Sequence, residues 1–282
     1  MTQPFAIEWM GGVAEHHFRR ARPLDEDIPW HSLDPKRYSD AALLAARRVW
    51  TDVAISEYAA IAMFSQVVSA LAEARAPLDL IGMTSDFVAD EVKHVELAAR
   101  LVMQLGGAVP RAFDPTRLSP RLAPGLSPLQ RANELALRVG CIGETYASGT
   151  AVPMMRATGH PVVRAVYETI LRDEARHCRF GSLYFEWAEP LIDERERQRL
   201  AQVAMQTLRH YATLWQRPKP DAQVQAQEPN TAVSDAEARE LGWFQHDQYQ
   251  PLALRRLDTA TGVVGPGKVG PAIVGPDRVG NE

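Results

Sequence analysis

Two near-copies of one short phrase, Asp90-Glu91-Val92-Lys93-His94 and Asp173-Glu174-Ala175-Arg176-His177, constrain this chain more than anything else in it. In each, a carboxylate and an imidazole stand three residues apart, Glu91 with His94 and Glu174 with His177. On an α-helix that spacing puts both side chains on one face, about one turn apart. A carboxylate and a neutral imidazole aimed at one point form half of a site for a divalent metal such as iron or manganese. One such string is weak evidence. Two of them ask that the surrounding chain be helical and that it supply the missing ligands.

The hydrophobic period meets the first demand. A helix is expected over residues 40–74, capped by Ser39, with Leu43, Ala46, Trp50, Val53, Ala54, Ala60, Ile61, Phe64 and Val68 at helical spacing. Glu57 falls on its apolar side, where a carboxylate is costly unless it is paired or bound to metal. A second helix over 78–105, stopped by Gly106-Gly107, carries Glu91 and His94 near its midpoint. Residues 107–127 show no period and read as a connection from one end of a bundle to the other.

Ser127-Pro128 opens a third helix reaching Ala157, with a kink expected near Pro153. Gly140, Gly143 and Gly149 within it imply close helix contact or room made for something else. Glu144 is the only acid between Leu135 and Arg156. Cys141 and Ser148 share its face and are candidates to line a cavity, with small-residue packing as the competing reading. A fourth helix, 161–188, carries Glu174 and His177. Tyr167, on the same face as Glu174, is a third cavity candidate against an ordinary core role.

The domain reading is an irregular N-terminal segment (1–38), a helical bundle (39–216), a linker with a short docking helix (217–258) and a flexible Gly/Pro-rich tail (259–282). The bundle includes a fifth helix over 193–215, and Trp243 and Phe244 are positioned to dock the short one. The tail repeats Val-Gly-Pro every five residues and cannot bury a core.

Glu57, Glu91, Glu144 and Glu174 each lie near the middle of their helix. Elements of similar length packed side by side bring their midpoints to one level, whichever way they run. The result is four carboxylates and two imidazoles at a common height, the set expected for a two-metal carboxylate centre. Two divalent ions balance four carboxylates, whereas an ion-pair network needs a similar number of inward-facing Lys or Arg. Lys93, Arg172 and Arg176 adjoin the motifs but point mainly away from Glu91 and Glu174 around the wheel. Asp90 and Asp173 have a use of their own. A metal-bound His donates its outer ring N–H to an acceptor, and either Asp can serve a His of its own or the facing helix.

The bulk numbers remove other classes. A net charge of −4 without a basic stripe argues against a nucleic-acid partner. Cys141 and Cys178 make neither a zinc spacing nor a disulfide framework, so a reducing cytoplasm is expected. The first residues lack a charged start and a long apolar run, so no signal peptide is read there. No stretch approaches 18 uninterrupted apolar residues, and no membrane span is expected. His16, His17 and His31 lie in a polar segment and are read as solvated.

The order Glu57, Glu91-x-x-His94, Glu144, Glu174-x-x-His177 resembles the ferritin-like di-iron carboxylate superfamily over residues 39–190. That resemblance implies an all-α fold: a ferritin-like four-helix bundle with additional C-terminal helices and irregular N-terminal and C-terminal extensions. It implies two iron ions, or an iron and a manganese, that react with O2, held by those six residues with Glu91 and Glu174 as bridging candidates. The implied activity is a monooxygenase, a hydroxylase or N-oxygenase, acting on a small organic molecule. No flavin, nicotinamide or ferredoxin motif is visible, so an external electron donor (a reductase or ferredoxin) is expected, and a homodimer is an expected assembly.

Within the superfamily no subfamily is singled out. Ferritin lacks a second Glu-x-x-His, and rubrerythrin brings a Cys-x-x-Cys module that is absent here. The ribonucleotide reductase small subunit usually has Asp where this chain has Glu57, with a radical Tyr shortly after; here Tyr58 is adjacent. The p-aminobenzoate N-oxygenase type carries an additional His on its last ligand helix, where this chain has Ile170. A ferroxidase or peroxide-scavenging bundle, and a non-catalytic interaction protein with its acids in ion pairs, remain as alternatives.

Overall fold

The computed structural model describes residues 3–23, 27–216 and 233–244, together with strand residues 264–265 and 268–269. Where Gly and Pro lead one to expect no long element, a ten-residue helix forms, α1 (Gly12–Ala21). Before it, Gln3 and Pro4 pair antiparallel with Phe113 and Ala112 of the long connection.

The bundle follows the hydrophobic period closely. Helix α2 spans Asp40–Glu73 and α3 spans Leu78–Gln104. The third element is α4 (Pro128–Leu135), a π-helical stretch (Ala136–Gly143) and α5 (Glu144–Ala157). Helix α6 spans Pro161–Ala188, α7 spans Glu194–Gln216 and α8 spans Asp235–Glu240. Ser39 accepts from the Ala42 N–H at 3.3 Å, and Ser127 and Gln130 form a reciprocal capping box. Gly106 and Gly107 end α3 at φ 109° and 100°, a region in which L side chains are strained.

Helix directions come from the core. One apolar cluster joins Ala42–Ala54 of α2, Leu97–Val102 of α3, Met154 of α5 and Val162–Ile170 of α6. A second joins Phe64–Leu71 of α2, Phe87 of α3, Ala132–Ile142 of the third element, Phe180–Ala188 of α6, and α7. Each long helix therefore passes from one cluster to the other, α2 and α6 in one sense and α3 and the third element in the opposite sense. Residues 105–127 must then cross the full length of the bundle, as the missing period there suggested. Side chains such as Trp50, Phe64, Leu71 and Phe180, all 0% exposed, each contribute roughly 2–3 kcal/mol of burial. The two clusters leave a level between them, and it holds Glu57, Glu91, His94, Glu174 and His177.

In the third element Pro153 sits inside α5, and the departure from α-helical bonding falls upstream, at Ala136–Gly143. Close approach to α6 occurs at that stretch. A Cβ on Gly140 would stand 2.5 Å from Phe180 Cδ1, and one on Gly181 would stand 2.4 Å from Cys141 Sγ. The π-turn ends where Glu144 begins α5, which delivers that carboxylate into the level between the clusters.

Helix α8 seats on α2 and α6 through backbone carbonyls. Trp50 Nε1 donates to Leu241 O at 2.9 Å, Tyr167 Oη to Gly242 O at 2.7 Å and Thr158 Oγ1 to Glu240 O at 2.8 Å. Trp243 is buried and Phe244 packs at the edge of the same cluster. By length and composition α2 is the one described helix able to cross a membrane, although Glu57 interrupts it and it packs against α3. Of the Val-Gly-Pro tail, Val264-Gly265 and Lys268-Val269 form a two-stranded hairpin. The remainder of the tail, and residues 217–232 of the expected linker segment, lie outside the described residues.

Candidate metal centre

The four acids and two histidines meet where the helices cross the level between the apolar clusters. Two groups of potential donors form, Glu57, Glu91, His94 and Glu174 in one, and Glu144, Glu174 and His177 in the other. The donor atoms within each group lie inside 4.8 Å of one another. Around His94 Nδ1 stand Glu57 Oε2 at 3.6 Å, Glu91 Oε2 at 3.5 Å and Glu174 Oε1 at 3.5 Å. Around His177 Nδ1 stand Glu91 Oε1 at 3.1 Å, Glu174 Oε2 at 3.6 Å and Glu144 Oε2 at 3.8 Å. Glu91 and Glu174 thus each turn one oxygen to either imidazole, while Glu57 and Glu144 each face only one.

The outer ring nitrogens are crossed. His177 Nε2 lies 3.3 Å from Asp90 Oδ2, and His94 Nε2 lies 3.5 Å from Asp173 Oδ2, each Asp serving the helix opposite its own. A carboxylate beside Nε2, hydrogen-bonded to His177 and in ion-pair range of His94, favours the tautomer that leaves Nδ1 free to bind. Phe87 and Phe64 close the wall beside His177, with ring centroids 4.2 and 5.3 Å from the imidazole. Those rings exclude water from that side.

The site fits metal by its own unmet bonding. Buried atoms without a hydrogen-bond partner at the centre include Glu91 Oε2, Glu174 Oε2, His177 Nδ1 and His94 Nδ1. Native interiors rarely leave such atoms unpaired, and here they converge. In their protonation the groups push one another apart. Burial lifts the Glu57 carboxyl to about 8 despite the neighbouring His94. Burial and the Glu174 charge hold Glu144 well above the carboxylate range. Burial alone would raise Glu91 too, but contacts with His177 and His94 outweigh it and bring Glu91 down to about 2. Against the cost of burial, Asp173, Glu57 and Glu91 raise His94 well above its ordinary value, and Asp90, Glu174 and Glu91 take His177 to about 11. Protons therefore hold this cluster together when no cation does, which is how a carboxylate-rich metal site behaves.

The cavity candidates divide. Ser148 stays beside the acids, its hydroxyl donating to Glu144 O at 2.8 Å and lying 3.4 Å from Cys178 Sγ. Cys141 packs against Gly181 in the apolar cluster. Tyr167 belongs to the other cluster, its hydroxyl spent on Gly242 O and 3.1 Å from Met154 Sδ.

Sequence reasoning missed two arginines. Arg176 reaches back to Asp90 Oδ2 at 2.9 Å and Asp173 Oδ1 at 3.1 Å, although its wheel position pointed it away from the ligand acids. Arg22 reaches Asp90 Oδ1 at 3.0 Å from just beyond α1, and nothing periodic around it marked it. The only available signal was Arg176 sitting inside the Asp-Glu-x-x-His string itself.

The sequence profile described as p-aminobenzoate N-oxygenase AurF matches residues 79–252, more than half of the chain. The chain belongs to this AurF family. The matched span holds Glu91, His94, Glu144, Glu174 and His177, and Glu57 lies ahead of it. Membership overturns the objection raised by Ile170, which is buried in the apolar cluster at 5% exposure. Among solved structures, an R2-like ligand-binding oxidase with aerobically reconstituted Mn/Fe cofactor (long soak) aligns with a TM-score of 0.49 at 16% identity. That alignment covers 92% of this chain and 94% of the oxidase. No curated protein matches the chain. As an AurF-family member, the protein is an O2-activating oxidoreductase of the ferritin-like di-iron superfamily, with O2 as co-substrate.

Proposed function

We propose that this protein is a monooxygenase that adds oxygen to the amine nitrogen of a small organic molecule. The observation that carries the reading is the convergence of potential metal donors from four helical elements, those of α3 and α6 buried and unpaired, in a chain of the AurF family. Glu57, Glu91, His94, Glu144, Glu174 and His177 would hold two metal ions, Glu91 and Glu174 each having an oxygen near either imidazole. When bound, the metals supply the redox chemistry that activates O2.

The chain's own residues do the rest. Asp90 and Asp173 hold the two imidazoles in the tautomer with Nδ1 directed inward. Phe64 and Phe87 keep water off the His177 side, so that oxidising equivalents are not lost to solvent. Electrons come from a separate reductase or ferredoxin, and the enzyme works in the cytoplasm, where Cys141 and Cys178 stay reduced. A homodimer is the proposed assembly.

The test is reconstitution with Fe(II) and a chemical reductant, followed by small aromatic amines under isotopically labelled O2. A labelled oxygen on nitrogen supports the proposal. Oxygen on carbon would make the enzyme a hydroxylase, and O2 consumption with released ferric mineral and no organic product would make it a ferroxidase; either result contradicts N-oxygenation.

A further inference from the structure

Helix α1 is fastened to the bundle without a core of its own. None of its residues is buried, yet two arginines tie its end to α3. Arg19 grips the Glu96 carboxylate through two nitrogens, both at 2.6 Å. Arg22 donates through Nε to Asp90 Oδ1 at 3.0 Å and through Nη2 to Asp86 O at 3.1 Å, and also pairs with the Asp86 carboxylate.

These two ties differ in what lies behind them. Among the described residues, the Glu96 carboxylate is bonded to Arg19 and to no member of the acid and histidine cluster. Asp90 is 2% exposed, and its other oxygen faces His177 Nε2 at 3.3 Å and Arg176 Nη2 at 2.9 Å. Asp173 has Arg176 but not Arg22. An open cavity of about 290 Å³, lined by Arg22, Asp86, Asp90, Lys93, Asp173 and Arg176, lies outside this layer. Ala21 and Pro23 also line it, but the hydrogen bonds to the Asp90 carboxylate come from Arg22, Arg176 and His177, so its orientation depends on these donors.

We propose that Arg22 is a positioning residue for one half of the metal centre. Through Asp90 it fixes the ring of His177, and so the group made by Glu144, Glu174 and His177, while leaving the His94 group alone. Arg176, which bonds both aspartates, supports both halves. The inference rests on the metal reading of the preceding section.

The experiment is a titration of the full-length apo-protein with Co(II), read by isothermal calorimetry and by the visible Co(II) spectrum. Wild type should bind in two steps. Arg22→Ala should weaken one step by about 10–100-fold, the range typical of losing an outer partner of a ligand, and change the spectrum of that step alone. Arg22→Lys should restore part of the loss. Arg19→Ala, which cuts the parallel tie without touching Asp90, should leave both steps unchanged, and Arg176→Ala should weaken both. Equal effects of Arg19→Ala and Arg22→Ala would reduce α1 to a general clamp and overturn the inference, as would an Arg22→Ala isotherm identical to wild type. Wild type binding no Co(II) would overturn the metal reading and this inference together, and the variants are not needed to see it.

Discussion

Asp90 of α3 faces His177 of α6 at 3.3 Å, not the His94 that follows it in its own motif. The reciprocal pair, Asp173 with His94 at 3.5 Å, makes the two strings a crossed set: each string carries candidate metal donors and sets a carboxylate beside the other string's imidazole. Changing one Asp should therefore disturb the His on the opposite helix. Asp173→Asn should weaken metal binding at the Glu57, Glu91, His94 group by about 10–100-fold and spare the other. Nitrogen NMR of labelled histidine in the apo-protein should show His94, and not His177, giving up its second ring proton at a lower pH than in wild type.

Close contact between the third element and α6 should be intolerant of a single methyl. Gly181→Ala would drive a Cβ to 2.4 Å from Cys141 Sγ, and Gly140→Ala to 2.5 Å from Phe180 Cδ1. Each should cost about 1–3 kcal/mol in urea unfolding, typical of overpacking. Gly159→Ala, where a Cβ meets nothing within 4 Å, is the control and should leave the midpoint where it is.

The seat of α8 depends on Trp50. Its Nε1 satisfies the Leu241 carbonyl in a wholly buried position. Trp50→Phe keeps most of the ring but leaves that carbonyl unpaired, at a cost of about 1–3 kcal/mol. Thermal unfolding followed by fluorescence of the remaining tryptophans should show the loss.

The start of α6 carries a pH dependence. His160 caps the helix, its Nδ1 accepting from the Val162 N–H at 3.2 Å, which only a neutral ring can do. Burial holds its pKa below the ordinary 6.5, with Arg37 acting the same way and Glu240 opposing; the Tyr38 ring lies alongside. The unfolded chain therefore takes up the proton first. The stability that neutral His160 contributes is complete above about pH 6.5 and is lost as pH falls through the folded-state pKa. Urea midpoints at pH 7.5 and 5.5 should differ less in His160→Asn, which keeps a capping side chain without a titrating one.

Most of the bundle was legible because its helices announce themselves locally. Ser39, Ser127-Pro128, His160-Pro161 and Gly106-Gly107 mark ends through their own backbone chemistry, and observed bounds differ from expected ones by no more than a residue or so. The π-turn before Glu144 was not legible, because Gly140 and Gly143 signal close approach without saying which hydrogen-bond ladder closes it. Tyr167 shows the limit of face arguments. It shares a helix face with Glu174 but lies seven residues away, about 10 Å along the axis, and so falls in the next apolar cluster. Arg22 was invisible for another reason: its partner Asp90 is 68 residues downstream, and no local pattern reports a contact at that separation.

The most direct test of the whole account uses Glu174, the one residue common to both donor groups. Apo-protein is titrated anaerobically with Fe(II) and then exposed to O2, with Glu174→Ala beside wild type and matched circular dichroism to show that both are folded. The account predicts stoichiometric binding of two irons per chain and O2 consumption in wild type, with both lost in the variant. Two folded proteins that fail alike to bind Fe(II), or that bind it alike, would contradict the metal centre described here.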